Sequence, residues 1–151
     1  MRAPDYASVN LSETGATEVM EALVEAGVGI EAGVWTVEDA ERLGASGLCG
    51  RVTRILVEPG ELQLLDSEDK AADAVGLVED IHRALDRFGL TSPRLQHGDG
   101  EVAWVLLMDA VCRGLDTRIG LEDTLFGPNG EPTTGNEALV RAARELGAGT
   151  D

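Results

Sequence analysis

Val28 to Leu43 reads VGIEAGVWTVEDAERL. Its first seven residues, Val28 to Val34, are small and apolar apart from Glu31, and Gly27 precedes them. A short apolar run bounded by a turn signal predicts a strand buried on both faces, as in a parallel sheet. Thr36 then stands three residues before Asp39. That spacing is a capping box, in which each side chain accepts from the other residue's backbone amide, and it predicts a helix running to about Leu43. A buried strand followed directly by a capped helix is one β/α unit.

The same unit recurs on both sides. Upstream, Tyr6–Leu11 reads as a strand. Ser12 is placed to cap the next helix, whose Val19, Met20, Leu23 and Val24 keep helical spacing and which Gly27 stops. Downstream, Arg51–Val57 is a third strand, closed by Glu58-Pro59-Gly60. The longest helix covers about Lys70 to Phe88, with Leu77, Ile81, Leu85 and Phe88 as one stripe. His82, beside Arg83, reads as a solvated helix residue. Pro93–His97 is a fourth strand, and Gly98-Asp99-Gly100 turns into a helix over about 101–113. Asp116–Leu121 is a fifth strand, and about Asn136 to Leu146 a last helix. Five strand–helix pairs in alternation predict an α/β fold with a parallel sheet and helical crossovers.

No linker or change of composition divides residues 1–151, so a single domain is expected. Two parallel architectures compete. A doubly wound sheet normally opens on a glycine-rich phosphate loop, but the first turn here is Asn10-Leu11-Ser12-Glu13-Thr14-Gly15. A TIM (β/α)8 barrel spends about 31 residues per unit, so 151 residues cover about five of its eight units.

Composition narrows the function classes. Lys plus Arg is 12 and Asp plus Glu 28, a net charge of −16 that repels phosphate backbones, so nucleic acid is not an expected partner. No apolar run approaches the roughly 20 residues of a membrane span. The N-terminal Met1-Arg2-Ala3-Pro4-Asp5 lacks the apolar core of a signal peptide, which predicts a cytoplasmic protein. Cys49 and Cys112 stand apart from any Cys/His cluster and read as reduced, partly buried thiols.

In parallel α/β folds the site forms at the carboxyl ends of the strands. Those ends carry Ser8 and Asn10, then Glu31, then Glu58, then Gln96, His97 and Asp99, and finally Arg118, Glu122 and Asp123. In the last run a period of two puts Arg118 and Glu122 on one face, and the strand end lets Asp123 turn inward. An arginine beside two carboxylates holds them ionised and oriented, as a divalent metal or a proton abstraction requires; an ordinary ion pair with Asp123 as a helix cap uses the same residues. Glu31, alone in a buried strand, needs a partner: Arg118, a metal or a ligand. His97 is a candidate general base or ligand, or a hydrogen-bonded structural histidine. Glu58 is a turn residue within reach of a site. Trp35 and Trp104 read as packing residues.

Five strings, NLSE from Asn10, GIEAGVWTVEDAERL from Gly29, RILVEPGE from Arg54, RLQHGDG from Arg94 and TRIGLEDT from Thr117, together resemble the β-keto acid cleavage enzymes, which include 3-keto-5-aminohexanoate cleavage enzyme. The resemblance spans about Ser8 to Leu146, and its most specific element is Arg-x-Gly-Leu-Glu-Asp. It implies a (β/α)8 barrel, usually oligomeric, that converts a β-keto acid and acetyl-CoA into acetoacetate and a new CoA thioester. A zinc ion (Zn2+) then binds the β-keto acid through a His-x-His pair on an early strand and through Glu122. Asp123 matches the general base, Arg118 the residue that orients it, Glu31 a residue at the substrate, and Ser8 a hydroxyl on the preceding strand. Zinc as a Lewis acid would stabilise a developing enolate and give two anionic substrates a positive focus.

No His-x-His occurs in the 151 residues. The strands that carry it in the family are expected to precede this chain's first residue, leaving the carboxyl-terminal five units. Two readings follow. One is a zinc-dependent acyltransferase of this family, completed by a further chain or by self-association. The other is an inactive remnant of such an enzyme. A small α/β enzyme using Glu31, His97 and Asp123 without metal is a third.

Overall fold

A computed structural model describes residues 3–149. Met1, Arg2, Thr150 and Asp151, which the N-terminal and single-domain readings include, lie outside the described residues. The elements run β1 (Tyr6–Asn10), α1 (Ala16–Glu25), β2 (Gly29–Val34), α2 (Val37–Ala45), β3 (Val52–Val57), α3 (Lys70–Arg87), β4 (Arg94–Gln96), α4 (Ala103–Arg113) and α5 (Asn136–Glu145), with short 3₁₀ turns at 49–51, 61–64 and 100–102. The sheet is parallel and four-stranded in the order β1-β2-β3-β4, with five helices. Consecutive parallel neighbours joined through helices are the expected arrangement of β/α units. Among the described residues no helix is long and apolar enough to cross a membrane.

The described chain forms two compact units, residues 3–57 with 77–94, and residues 58–76 with 95–149. In the first, β2 is the strand that the sequence marks as buried on both sides, with Ile30, Ala32 and Val34 wholly inaccessible. The capping box of α2 is formed: the Asp39 amide donates to Thr36 Oγ1 at 3.2 Å, and Asp39 Oδ2 accepts from the Thr36 amide at 3.1 Å. β3 carries a bulge. Ile30 pairs with Val52 but Glu31 pairs with Arg54, so Thr53 is the extra residue. Gly29 permits this, because a Cβ there would lie 2.6 Å from Thr53 Oγ1.

Three local expectations are corrected in this unit. Ser12 does not cap α1. Residues 11–15 form a turn, in which the Glu13 amide donates to the Asn10 carbonyl, and the helix starts only after Gly15, at φ 83° and without a side-chain cap. The buried stripe of α3 is centred on Ala74, Val78, Ile81 and Leu85, with Leu77 half-buried and Phe88 45% exposed. Phe88 instead lies over Gly44 of α2, where a Cβ would meet its ring at 2.3 Å. His82 consequently faces inward, buried, with Nδ1 3.3 Å from Arg94 Nη1.

The core of the second unit joins Ala103 and Leu107 of α4 to Ile119 and to Leu139 and Ala143 of α5, with Trp104 half-buried against it. The fifth strand is not formed. Asp116 makes one parallel bridge to Leu95, and the Gln96 amide donates to the Asp116 carbonyl at 2.9 Å. The chain then curls, because the Gly120 carbonyl accepts from the amides of Asp123 and Thr124. A carbonyl held in that turn cannot extend a strand ladder.

Candidate functional site

The richest constellation lies in the second unit, around Asp123. The turn at Gly120 swings its side chain inward until only 4% of it is exposed. One Asp123 oxygen stands 3.5 Å from Arg118 Nη2 and 3.3 Å from His97 Nδ1. His97 follows directly after β4 and is also buried, and its Nε2 lies 3.0 Å from Glu58 Oε2. Gly98 lets α4 pack close beside this residue, since a Cβ there would come within 2.6 Å of Leu106 Cδ1. Glu58, from the Glu-Pro-Gly turn after β3 and itself half-buried, thus joins the buried His97 and Asp123 in a single row.

The electrostatics follow from that row. Burial opposes charge on the His97 ring, yet the Asp123 and Glu58 carboxylates on either side outweigh both it and the repulsion from Arg118. The ring's pKa is held above its ordinary value. Burial likewise opposes charge on Asp123, yet His97, Arg118 and the backbone at Gly120 outweigh it and hold this carboxyl below its ordinary range. Asp123 is therefore an ionised, fixed carboxylate near neutral pH.

Asp123 also lines a groove of about 810 Å³ in the same unit. Trp104, Leu121, Leu125 and Phe126 form its apolar wall, and the last three are exposed. The Trp104 indole N–H donates to the Phe126 carbonyl at 2.8 Å and fixes that wall. Glu122 lines the groove with a side chain 84% exposed, its carboxylate 3.5 Å from Arg118 Nη2. Arg118 therefore faces both acids, but through the turn at Gly120 and not on one face of a strand, and Glu122 points to solvent rather than inward.

Glu31 and Ser8 belong to the first unit, where β1–β2 pairing sets them opposite each other. Ser8 is exposed and Glu31 buried. The partner that Glu31 needs is Arg54, not Arg118: Arg54 Nε donates to Glu31 Oε2 at 2.5 Å. Tyr6 completes the group, its hydroxyl 3.4 Å from Arg54 Nη2 and its ring under the guanidinium. The bulge at Thr53 brings Arg54 opposite Glu31, and nothing local in the sequence announces it. Gln96, also noted at a strand end, is wholly buried and occupied, its amide donating to the Leu106 carbonyl and to Asp109. Cys49 and Cys112 are free thiols.

These donors do not make up a zinc site. Among the described residues no group of three or more His, Cys, Asp or Glu side chains could hold a metal ion. Glu122 stands in solvent against an arginine, and both ring nitrogens of His97 already face carboxylates. Catalytic zinc normally takes three protein ligands.

The fixed carboxylate of Asp123 lies beyond the last parallel bridge of an α/β scaffold, at the end where such folds place their active sites. The family model of the β-keto acid cleavage enzymes matches residues 7–150, so the chain belongs to that family. No curated protein matches the sequence.

Proposed function

We propose that this protein acts on a β-keto acid and acetyl-CoA, exchanging acyl groups to give acetoacetate and a new CoA thioester. The single observation that carries the proposal is Asp123: a buried carboxylate, held ionised between Arg118 and His97, on the wall of a groove. In this reading Asp123 takes a proton from the carbon between the two carbonyls of the β-keto acid. The resulting carbanion attacks the acetyl thioester and releases CoA thiolate. The thiolate then adds to the original keto carbonyl, the old carbon–carbon bond breaks, and protonated Asp123 returns its proton to the departing acetoacetate. Arg118 orients the carboxylate throughout. The apolar wall of Trp104, Leu125 and Phe126 suits the acyl or side-group portion of a substrate.

Glu31 and Ser8 are the proposed substrate contacts, and five units of a TIM barrel the proposed architecture. Glu122 is the proposed contribution to zinc. Its exposure and the lack of a three-donor group among the described residues mean that a zinc centre would need ligands from outside those residues. The test is acetoacetate formation from acetyl-CoA over a panel of β-keto acids, with elemental analysis for zinc on the same sample. Acetoacetate release that is lost in Glu122→Gln, with folding unchanged, supports both the reaction and the ligand. Release that persists in Glu122→Gln removes the ligand assignment. A zinc-free chain with no release supports the reading of an inactive remnant.

A further inference from the structure

The reaction proposed above gives His97 no proton to carry, yet His97 is among the most constrained polar groups of the second unit. It is 4% exposed, with a carboxylate against each ring nitrogen, Glu58 at 3.0 Å and Asp123 at 3.3 Å. A neutral imidazole carries one N–H and one lone pair. In either neutral tautomer a lone pair would face an ionised carboxylate at close range, away from water. Only the doubly protonated ring presents an N–H to both. Arg118, whose guanidinium also faces Glu122, is a second positive group beside Asp123. At 3.3 Å the contact of Nδ1 with Asp123 is an ion pair and not a hydrogen bond. An ion pair of that kind fixes a carboxylate without occupying the lone pair that is to receive a proton.

We propose that His97 is a positioning residue: a buried imidazolium that ties Asp123 to Glu58 and keeps the Asp123 carboxylate turned toward Arg118. This rests on the reading of Asp123 as the base.

Nitrogen-15 NMR of the histidine rings in the full chain near neutral pH tests the clamp directly. The expected result is two protected ring N–H signals for His97. In Asp123→Asn the Nδ1–H signal disappears while the Nε2–H signal stays, and in Glu58→Gln the Nε2–H signal is the one that moves. A singly protonated ring in the native chain, or a ring indifferent to Asp123→Asn, overturns the inference. Two further variants separate positioning from packing. Asn and Gln at 97 both fill the site with a neutral amide and remove the positive charge that faces Asp123. In an assay of deuterium uptake at the carbon between the carbonyls of acetoacetate, both variants are expected to fall roughly tenfold in kcat at unchanged KM, with the fold retained. A native kcat in either variant overturns the positioning role. If Asp123→Asn leaves deuterium uptake at the native rate, the base reading fails, while the NMR result still decides the clamp on its own.

Discussion

Breaking a buried ion pair from one side costs more than replacing both partners, because the remaining charge has no water to return to. Glu31 is buried and Arg54 is its partner, so Arg54→Ala should destabilise by about 2–4 kcal/mol in denaturant unfolding. The double replacement Glu31→Met with Arg54→Met should cost less than Arg54→Ala alone. A double variant that is worse than the single one would show the pair to be net stabilising. His97 sets a pH dependence of its own. Its pKa in the folded chain lies above the ordinary 6.5, so the protonated ring contributes fully below that value. The contribution fades as pH rises through the raised pKa. Asp123 runs the other way: its pKa lies below 3.8, so its contribution is complete above that and lost as pH falls. The stability gap between the native chain and His97→Gln should thus be widest near about pH 5 and shrink above neutrality. A gap that widens with rising pH would contradict the charge assignment.

The helices and strands show which parts of this fold are legible from sequence. The capping box of α2 is legible because its two hydrogen bonds lie within four residues, and Thr36 with Asp39 forms it as the spacing requires. Arg118, Glu122 and Asp123 do come together, but through the turn at Gly120 and not on the face of a strand, so the sequence marks the group without its geometry. The Glu31 partner is not legible: it depends on strand pairing 23 residues away and on the one-residue bulge at Thr53. His82 misleads because the stripe of α3 is read from its large apolar residues, while the helix buries a row that includes the small Ala74 and Ala84. The fifth strand misleads because an alternating pattern is equally compatible with the single bridge and turn that Asp116–Asp123 adopts. Close packing of α2 against α3 gives an element-scale prediction. Gly44→Ala would drive a methyl into the Phe88 ring and should lower the unfolding free energy by about 1–3 kcal/mol. Combining it with Phe88→Ala should recover part of that loss. Additive losses in the double variant would mean that the two side chains do not meet.

At the scale of the whole molecule, a chain carrying −16 belongs to a family whose proposed substrates are themselves anionic. The local cations therefore matter more than the net charge. In the second unit Arg118 and His97 stand on either side of Asp123 and offset its charge within a groove that Glu61, Glu101 and Glu122 also line. The proposed reaction turns on Asp123 as its base. The direct measurement is proton NMR of acetoacetate in D2O with the purified protein and with Asp123→Asn, following exchange at the carbon between the two carbonyls over the uncatalysed background. Exchange faster than background is expected in the native protein, with a loss of about 10²-fold or more in Asp123→Asn and the fold retained. Exchange at the native rate in Asp123→Asn, or none above background in the native protein, would rule out Asp123 as the base.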